Sequence, residues 1–216
     1  MNYKDCFYVN DRDQKILELC RGKVVLHIGA CDAPYTANKL KAGLLLHKRL
    51  QGVAREVVGV DIDEESIAYL KDKGISDIVN IDFFALPSLE IKPDVIVFGE
   101  TIEHLENPGL YLETLNRFMA PEAKLIISTP NCYSISGQFR VLLNKENIHP
   151  DHRVGFSAAL LEQLLDKMGF NIEHLYFTFL PKVVDALEVK LFKALSYLRH
   201  GWAETLLVVA TVKRDE

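Results

Sequence analysis

The stretch Val-Val-Leu-His-Ile-Gly-Ala-Cys-Asp-Ala-Pro at residues 24–34 decides the fold of this chain. Its first five residues, Val24–Ile28, are apolar apart from one histidine, and Gly29 ends the run. A short apolar run closed by a glycine predicts a buried strand. The small residues that follow either let the backbone approach a ligand closely or simply make a tight turn into a helix.

The same alternation of apolar runs and helical segments continues along the chain. Further strands are predicted at Val57–Val60, Asp77–Asn80, Val95–Phe98, Leu125–Ser128, Ile172–Phe179 and Glu204–Val212, and helices at Tyr35–Leu50, Asp63–Lys73, Leu110–Met119 and Ser157–Met168. This order predicts an α/β fold with a doubly wound, mostly parallel sheet and helices on both faces. Ligands of such sheets bind beyond the carboxyl ends of the strands, where the strand order reverses.

Length and composition narrow the classes of function. The chain has 216 residues, of which 49% are hydrophobic and 25% charged, and its formal net charge is -5. This size predicts one domain, residues 1–216, with an N-terminal helical extension at 1–22 and an inserted helix at 181–200. The acidic balance argues against a nucleic-acid partner, and no apolar run is long enough for a membrane span. The N-terminus has no signal-like apolar segment and the cysteines form no C-x-x-C pair, so we expect a cytoplasmic protein.

An acidic residue ends the second predicted strand, in the sequence Gly-Val-Asp-Ile-Asp at residues 59–63. A carboxylate at this place can accept hydrogen bonds from both hydroxyls of a ribose. We assign that role to Asp61. Asp63 is better placed to cap the helix that follows.

Asp82 follows the third predicted strand and precedes two phenylalanines, Phe83 and Phe84. An aspartate can accept a hydrogen bond from an exocyclic amine while a neighbouring ring packs on a purine. The alternative is a capped loop with both rings in the core. We expect Phe84 to be a core residue in either case.

The densest polar group lies between residues 100 and 108. Glu100 and His104 are four residues apart, so they share one face if this turn is helical. A glutamate and a histidine within reach of each other can form a general base or a pair that tunes each other's charge. They can equally be solvated loop residues.

These ordered features resemble those of the class I S-adenosylmethionine-dependent methyltransferases. They are the turn at 25–33, the sequence at 59–63, Asp82, the Glu-x-x-Glu-His-Leu-x-x-Pro stretch at 100–108 and Ser-Thr-Pro-Asn at 128–131. The resemblance extends from about Gly22 to Phe177. It implies a Rossmann-like fold with seven strands, the last one antiparallel, and S-adenosylmethionine as the cofactor.

The resemblance also implies roles for particular residues. Gly29 and the backbone of Ala30 and Cys31 would face the methionine part of the cofactor, and Glu100 would face its sulfonium and amino-acid part. Asp61 would bind the ribose. Ile62 would pack on the adenine face, while Asp82 and Phe83 would contact the adenine edge. The chain departs from the family pattern at His27, where the family commonly has aspartate. Cys31 and Ala33 stand where it commonly has glycines.

The acceptor is expected from a second resemblance. Ala33-Pro34 and the stretch at 147–157 resemble a subgroup of glycan and secondary-metabolite methyltransferases, which implies a small-molecule or glycan acceptor. We prefer O-methylation, with His152 as first and His104 as second candidate base, because histidine suits proton transfer near neutral pH. His149, Asp151 and His152 could instead hold a metal, but the ligand set is short and we predict none.

Other functions remain open at this stage. The helix at 181–200 is expected to pack on the domain or on a second subunit, which allows a homodimer, although it could also be a lid over the acceptor. A nicotinamide-dependent oxidoreductase is disfavoured because the first turn lacks G-x-G-x-x-G. A methyltransferase-like binding protein without activity is compatible with the same fold.

Overall fold

The computed structural model describes residues 6–146, 148–180 and 187–213. The strands in these ranges are β1 (Phe7–Tyr8), β2 (Val24–Ile28), β3 (Glu56–Asp61), β4 (Ile78–Asn80), β5 (Val95–Gly99), β6 (Lys124–Pro130), β7 (Phe170–Thr178) and β8 (Thr205–Val212). The α-helices are α1 (Arg12–Cys20), α2 (Thr36–Lys41), α3 (Leu46–Gln51), α4 (Glu64–Asp72), α5 (Pro108–Phe118), α6 (Ile135–Leu142), α7 (Ala158–Lys167) and α8 (Leu187–Leu198). Short 3-10 turns lie at Phe83–Ser88, Ile102–His104 and His200–Trp202.

All the strands belong to one sheet in the order β1-β7-β8-β6-β5-β2-β3-β4. The last strand, β8, is antiparallel to both of its neighbours, whereas the other pairings are parallel. The predicted α/β, Rossmann-like architecture is therefore confirmed, but the predicted strand count of seven is wrong. The strand that was not predicted is β1, which pairs with Tyr176 and Phe177 of β7 at the sheet edge. A strand of two residues is too short to show an alternating pattern in the sequence.

The strand order reverses at β2. The chain adds β3 and β4 on one side of β2 and then returns to place β5 on the other side. Crossovers that leave in opposite directions open a crevice at the carboxyl ends of the two central strands. This crevice lies at Gly29 and Gly99, which follow β2 and end β5.

Successive side chains of the central strands alternate between two cores. Val25 and Val97 point to a core that α1 and α3 complete with Ile16 and Leu50. The side chains of the other face form a second core with α5 and α7. This core includes Leu26, Phe98 and Ile127 from the strands and Leu112, Leu115, Leu161 and Leu165 from the two helices. Both faces are thus covered, which explains why the strands are apolar throughout.

The helices differ from the predicted ones in two places. The single helix predicted at Tyr35–Leu50 is two helices, because the chain turns at Gly43 with φ of +69° between α2 and α3. Helix α6 was not predicted. Two predicted helix starts agree with the structure, since the side chain of Asp63 accepts from Ser66 N and that of Ser157 from Leu160 N.

Part of the predicted helix at 181–200 lies outside the described residues, namely positions 181–186. The described part, α8, contacts α6 through Phe192, whose ring centroid is 6.0 Å from that of Phe139. Tyr197 of α8 donates a hydrogen bond to Asn10 near the N-terminus. Within the described ranges, no helix combines the length and the apolar character that crossing a membrane requires.

A chain of polar groups links β2, α3 and the residue before β4, and its two histidines are buried. His27 Nδ1 lies 3.3 Å from His47 Nδ1, and His47 Nε2 lies 3.2 Å from Asp77 Oδ1. Gln51 donates to both oxygens of Asp77. A Cβ at Gly59 would lie 2.7 Å from His47 Cε1, so only glycine leaves room for this ring. His27, which stands where the family commonly has an aspartate, is thus joined through His47 to the carboxylate of Asp77.

Burial and hydrogen bonds together decide which of these groups carry a charge. Burial lowers the pKa of His27 well below its ordinary value, and the nearby His47 and Arg12 lower it further. Burial alone would raise the pKa of Asp77, but hydrogen bonds from His47 and Gln51 outweigh it and lower that pKa to about 2. His27 is therefore neutral and Asp77 ionised near neutral pH.

This arrangement predicts an acid-sensitive fold. A histidine that is neutral in the folded state and free to ionise in the unfolded state contributes no penalty above pH 6.5 and destabilises the fold as the pH falls below that value. We expect the free energy of unfolding to fall between pH 7.5 and 5.5 by about 1 kcal/mol more in the wild type than in His27→Asn. Urea denaturation at the two pH values measures this difference.

The matched control is His174→Asn, which replaces an exposed histidine on β7. It should lose as much stability on acidification as the wild type does. Equal losses in the wild type and in His27→Asn would contradict the assignment.

Candidate functional site

The turn after β2 has a conformation that requires glycine. Gly29 has φ of +73°, and a Cβ on it would lie 2.8 Å from Thr101 Oγ1. The N–H groups of Gly29 and Ala30 both donate to Val60 O, at 3.0 and 3.2 Å. The turn therefore brings bare backbone to the crevice at a point where a side chain does not fit.

The carboxylate of Asp61 joins this turn to the end of β3. Its Oδ2 accepts the N–H of Cys31 at 2.8 Å, and its Oδ1 accepts the N–H groups of Ile62 and Asp63 at 2.8 and 3.0 Å. A carboxylate offers about four acceptor positions, so one remains for a ligand hydroxyl. The side chains of Ala30 and Cys31 are buried, which leaves their backbone as the part that can contact a ligand.

The residues predicted to surround an adenine differ in exposure. Ile62 is 74% exposed beside Asp61, so it presents a free apolar surface. Asp82 is also exposed, and its Oδ1 accepts the N–H of Phe84 at 2.8 Å. Phe83 is half-buried against Tyr111, with ring centroids 4.6 Å apart. The expectation that Phe84 is a core residue is wrong: it is 44% exposed, because the 3-10 turn directs it away from the core that holds Leu86.

Glu100 ends the strand opposite Gly29 and is held by a buried arginine. It has φ of +47°, and its N–H donates to Ser128 O at 2.8 Å. Its Oε1 lies 3.3 Å from Arg12 Nη1. Arg12 also donates to Asp13 Oδ1 from Nε at 2.8 Å and from Nη2 at 2.6 Å. The guanidinium therefore lies between two carboxylates at the edge of the crevice.

Sequence reasoning missed Arg12. The residue lies in α1, far along the chain from the strand ends where functional residues were sought. An Arg-Asp pair in a helix is most often a solvated surface feature. Only the burial of both side chains, which are 5% and 1% exposed, distinguishes this pair.

Glu103 is a buried carboxyl group next to the crevice. Its Oε2 accepts a hydrogen bond from Thr129 Oγ1 at 3.0 Å. Burial, and after it the charge of Glu100, raises the pKa of Glu103 above its ordinary value. The protonated form of this carboxyl group is therefore favoured relative to that of an exposed glutamate.

Three histidines from two segments meet beside Glu103. His104 ends the 3-10 turn, and its ring centroid lies 4.8 Å from that of His152 and 5.7 Å from that of His149. The N–H groups of Arg153 and Val154 donate to Glu103 O at 2.8 and 3.2 Å, which ties the histidine loop to the turn. Partial burial and the neighbouring histidines lower the pKa of His152.

A cavity of about 910 Å³ opens beside these groups. Glu100, Glu103, His149 and His152 line one side of it, and residues of α6 line another. Helix α6 is the second part of the site that sequence reasoning missed. Its available signal was Ser134, whose side chain caps the helix by accepting from Gly137 N at 3.3 Å.

The structure brings most of the predicted site residues together in two groups. Gly29, Ala30, Cys31, Asp61 and Ile62 form the first group at the ends of β2 and β3. Glu100, His104 and His152 form the second group after β5, together with Glu103. Asp82 and Phe83 follow β4 and belong to neither group. A nucleoside-type ligand and a second reactant would suit such a pair of adjoining sites. A crevice with this topology and an acidic residue at the end of β3 define a Rossmann-type transferase or oxidoreductase.

Comparison with known proteins decides between these classes. The model of a methyltransferase-domain family matches residues 9–175. A probable S-adenosylmethionine-dependent methyltransferase of Mycolicibacterium smegmatis is 30% identical over 161 residues, which are 74% of this chain and 56% of that protein. The chain thus matches only about half the length of this curated relative.

Solved structures agree with this fold. A methyltransferase of Archaeoglobus fulgidus matches with a TM-score of 0.60 and 19% identity, over 93% of this chain and 91% of that one. The 1,6-didemethyltoxoflavin-N1-methyltransferase of Burkholderia thailandensis, solved with its substrate and S-adenosylhomocysteine, matches with a TM-score of 0.53 and 18% identity, over 94% and 77%. At these identities the likeness shows the fold alone.

The family match is decisive because it spans most of the chain. The chain belongs to the class I S-adenosylmethionine-dependent methyltransferase family, and its cofactor is S-adenosylmethionine. The nicotinamide-dependent alternative is set aside by the same match.

The buried ion pair of α1 generates a stability prediction. Replacing Arg12 with methionine leaves Asp13 and Glu100 without this cation, and we expect a loss of about 3 kcal/mol in the free energy of unfolding. Arg117→Met is the matched control, because it removes an arginine from an exposed ion pair with Glu113 on α5 and should cost no more than about 1 kcal/mol. Urea denaturation compares the two, and equal losses would show that the Arg12 pair contributes no more than a surface pair.

Proposed function

We propose that this chain transfers a methyl group from S-adenosylmethionine to a hydroxyl of a small-molecule or glycan-type acceptor. The observation that carries the proposal is the cavity of about 910 Å³ that begins at Glu100 and is lined by histidines. It adjoins the crevice at the strand reversal, so a cofactor and an acceptor can lie side by side. Methyl transfer requires such an arrangement because the displacement is in line.

The first group of residues fits the cofactor. Asp61 keeps one acceptor position for a ribose hydroxyl, and Ile62 offers an exposed apolar surface for an adenine. Gly29, Ala30 and Cys31 would face the amino-acid part through their backbone. We assign the adenine edge to Asp82 and Phe83.

The charge of the site supports the same assignment. S-adenosylmethionine supplies a methyl group activated by a sulfonium cation. Glu100 lies at the end of β5, where it can contact this cation, and Arg12 holds its carboxylate in place. Arg12 pairs with both Glu100 and Asp13, and Asp13 has a second partner in Arg49 at 2.7 Å.

The second group of residues suits a hydroxyl acceptor. A hydroxyl is a weak nucleophile until it loses its proton, and a neutral histidine accepts protons near pH 7. We propose His152 as the base and His104 as the second candidate. The lowered pKa of His152 favours the neutral form that this role needs.

The acceptor class rests on the sequence resemblance together with the size and polarity of the cavity. Its lining mixes glutamate, histidine, serine and asparagine side chains with apolar residues of α6, which suits a polyhydroxylated molecule. A cytoplasmic location and a homodimer remain predictions from the sequence.

Calorimetry tests the cofactor assignment. The protein should bind S-adenosylhomocysteine and show no heat with NAD. Asp61→Ala should weaken S-adenosylhomocysteine binding by about 1–3 kcal/mol, because a ribose hydroxyl loses its acceptor. Absence of any heat with S-adenosylhomocysteine would overturn the proposal.

Asp72→Ala provides the control for this titration. Asp72 is an exposed aspartate at the end of α4, the helix that follows Asp61, and its only ion pair is with Lys73 in the described part of the chain. Its replacement should leave the affinity unchanged. If Asp61→Ala binds as tightly as Asp72→Ala does, the ribose partner is misassigned.

Methyl transfer tests the acceptor and the base. Labelled S-adenosylmethionine should methylate hydroxyls in a panel of sugars, glycosides and phenols, and amine acceptors should stay unlabelled.

We expect His152→Gln to lower kcat by about 100-fold, the usual contribution of a general base, with little change in S-adenosylhomocysteine affinity. His174→Gln should retain full turnover, since this histidine is exposed on β7. Preferential labelling of amines would contradict O-methylation, and a chain that binds the cofactor but labels nothing would point to a binding protein.

A further inference from the structure

We propose that His104, His149 and His152 bind one divalent transition-metal ion, such as Zn²⁺, at the edge of the acceptor cavity. These residues are the three-histidine site below. Each offers a ring nitrogen, and the three ligand atoms lie within 4.8 Å of one another. Imidazole nitrogens are preferred ligands of zinc and its neighbours in the periodic table. The proposal replaces the sequence-based prediction of no metal, which weighed only two of these histidines.

The spacing is close to that of a bound site. Zinc–nitrogen distances are about 2.0–2.1 Å, which places nitrogens of a tetrahedral site roughly 3.4 Å apart. The three side chains are half-buried. Metal binding would require side-chain rotations that bring the three nitrogens from within 4.8 Å of one another to this separation.

The backbone holds the two segments of the three-histidine site together. The hydrogen bonds from Arg153 and Val154 to Glu103 O fix the loop directly beside His104. Within the loop, the N–H of His152 donates to His149 O at 3.0 Å, which forms a turn. The ligands are therefore brought together by main-chain contacts and do not depend on the metal to meet.

Two acidic residues lie near the three-histidine site. His149 Nδ1 accepts the N–H of Asp151 at 3.3 Å, and the carboxylate oxygen Oδ2 of Asp151 lies 3.7 Å from the same nitrogen. Glu103 is 2% exposed, and its Oε1 has no hydrogen-bond partner among the described residues. Glu103, His149 and His152 all line the acceptor cavity. A buried oxygen without a partner is costly unless a ligand or a cation completes its contacts.

Three protein nitrogens leave a coordination position open, as catalytic zinc sites do. The role of the ion in the reaction rests on the proposed function. A cation at this position would bind the acceptor's hydroxyl oxygen and lower the pKa of that hydroxyl, so that its proton passes to solvent. The oxygen then forms the new C–O bond while the C–S bond breaks, and the bonding pair returns to sulfur. His152 would then act as a ligand, and the base proposed above would not be needed.

Metal titration of the untagged, chelator-treated protein tests the proposal. Calorimetry with ZnCl₂ should give one equivalent bound per chain, and CoCl₂ should produce the visible absorption bands of a low-symmetry cobalt site. Bound zinc should also raise Tm, since it binds the folded state.

The double variant His149→Gln/His152→Gln should weaken zinc binding by at least ~10-fold and abolish the cobalt spectrum. His174→Gln is the matched control, because it removes one exposed histidine of β7 and should bind zinc as the wild type does. Circular dichroism and S-adenosylhomocysteine binding report whether the double variant is folded. Undetectable zinc binding by the wild type, or equal binding by the folded double variant, overturns the proposal.

The two proposals fail separately. S-adenosylhomocysteine binding is measured on metal-free protein, so its absence concerns the proposed function alone. A chain that binds S-adenosylhomocysteine and no metal keeps the proposed function with His152 as base and overturns the metal site.

Discussion

The carboxylate of Asp61 is the contact on which the candidate site depends. It accepts three backbone N–H groups, one from the turn after β2 and two from the start of the loop after β3. Parallel pairing places those two strand ends side by side, and the carboxylate then fixes the loops that leave them. Because the loops are fixed by a side chain that accepts three hydrogen bonds, the backbone of the turn is already arranged before a ligand binds.

Two further sets of polar contacts link the strands and helices of the fold. His27, His47 and Asp77 form one linked set, and Arg12 lies between Asp13 and Glu100 in another. Buried charges are tolerated only when they are paired and hydrogen-bonded. His27 is linked in this way, through His47, to the carboxylate of Asp77, which precedes β4.

Much of the fold could be predicted because it follows from local pattern. Apolar strands such as Val24–Ile28 and Val95–Gly99 are buried on both faces, and Asp63 and Ser157 cap the helices that follow them. The misses have equally local causes. The two-residue strand β1 exists only through its pairing with β7, and Phe84 was misplaced because a 3-10 turn does not follow the helical period.

The sequence by itself determined the class of fold, the family and the group of residues at the ends of β2 and β3. Each of these depends on the order of the strands and on the residues next to a strand end. Tertiary structure alone decided the rest. Arg12 joins Glu100 across 88 positions of sequence, and His104 meets His149 and His152 because backbone hydrogen bonds bring a distant loop to the turn. Side chains so far apart along the chain leave no periodic pattern, and their chemistry depends on burial and distance, which exist only in the folded protein.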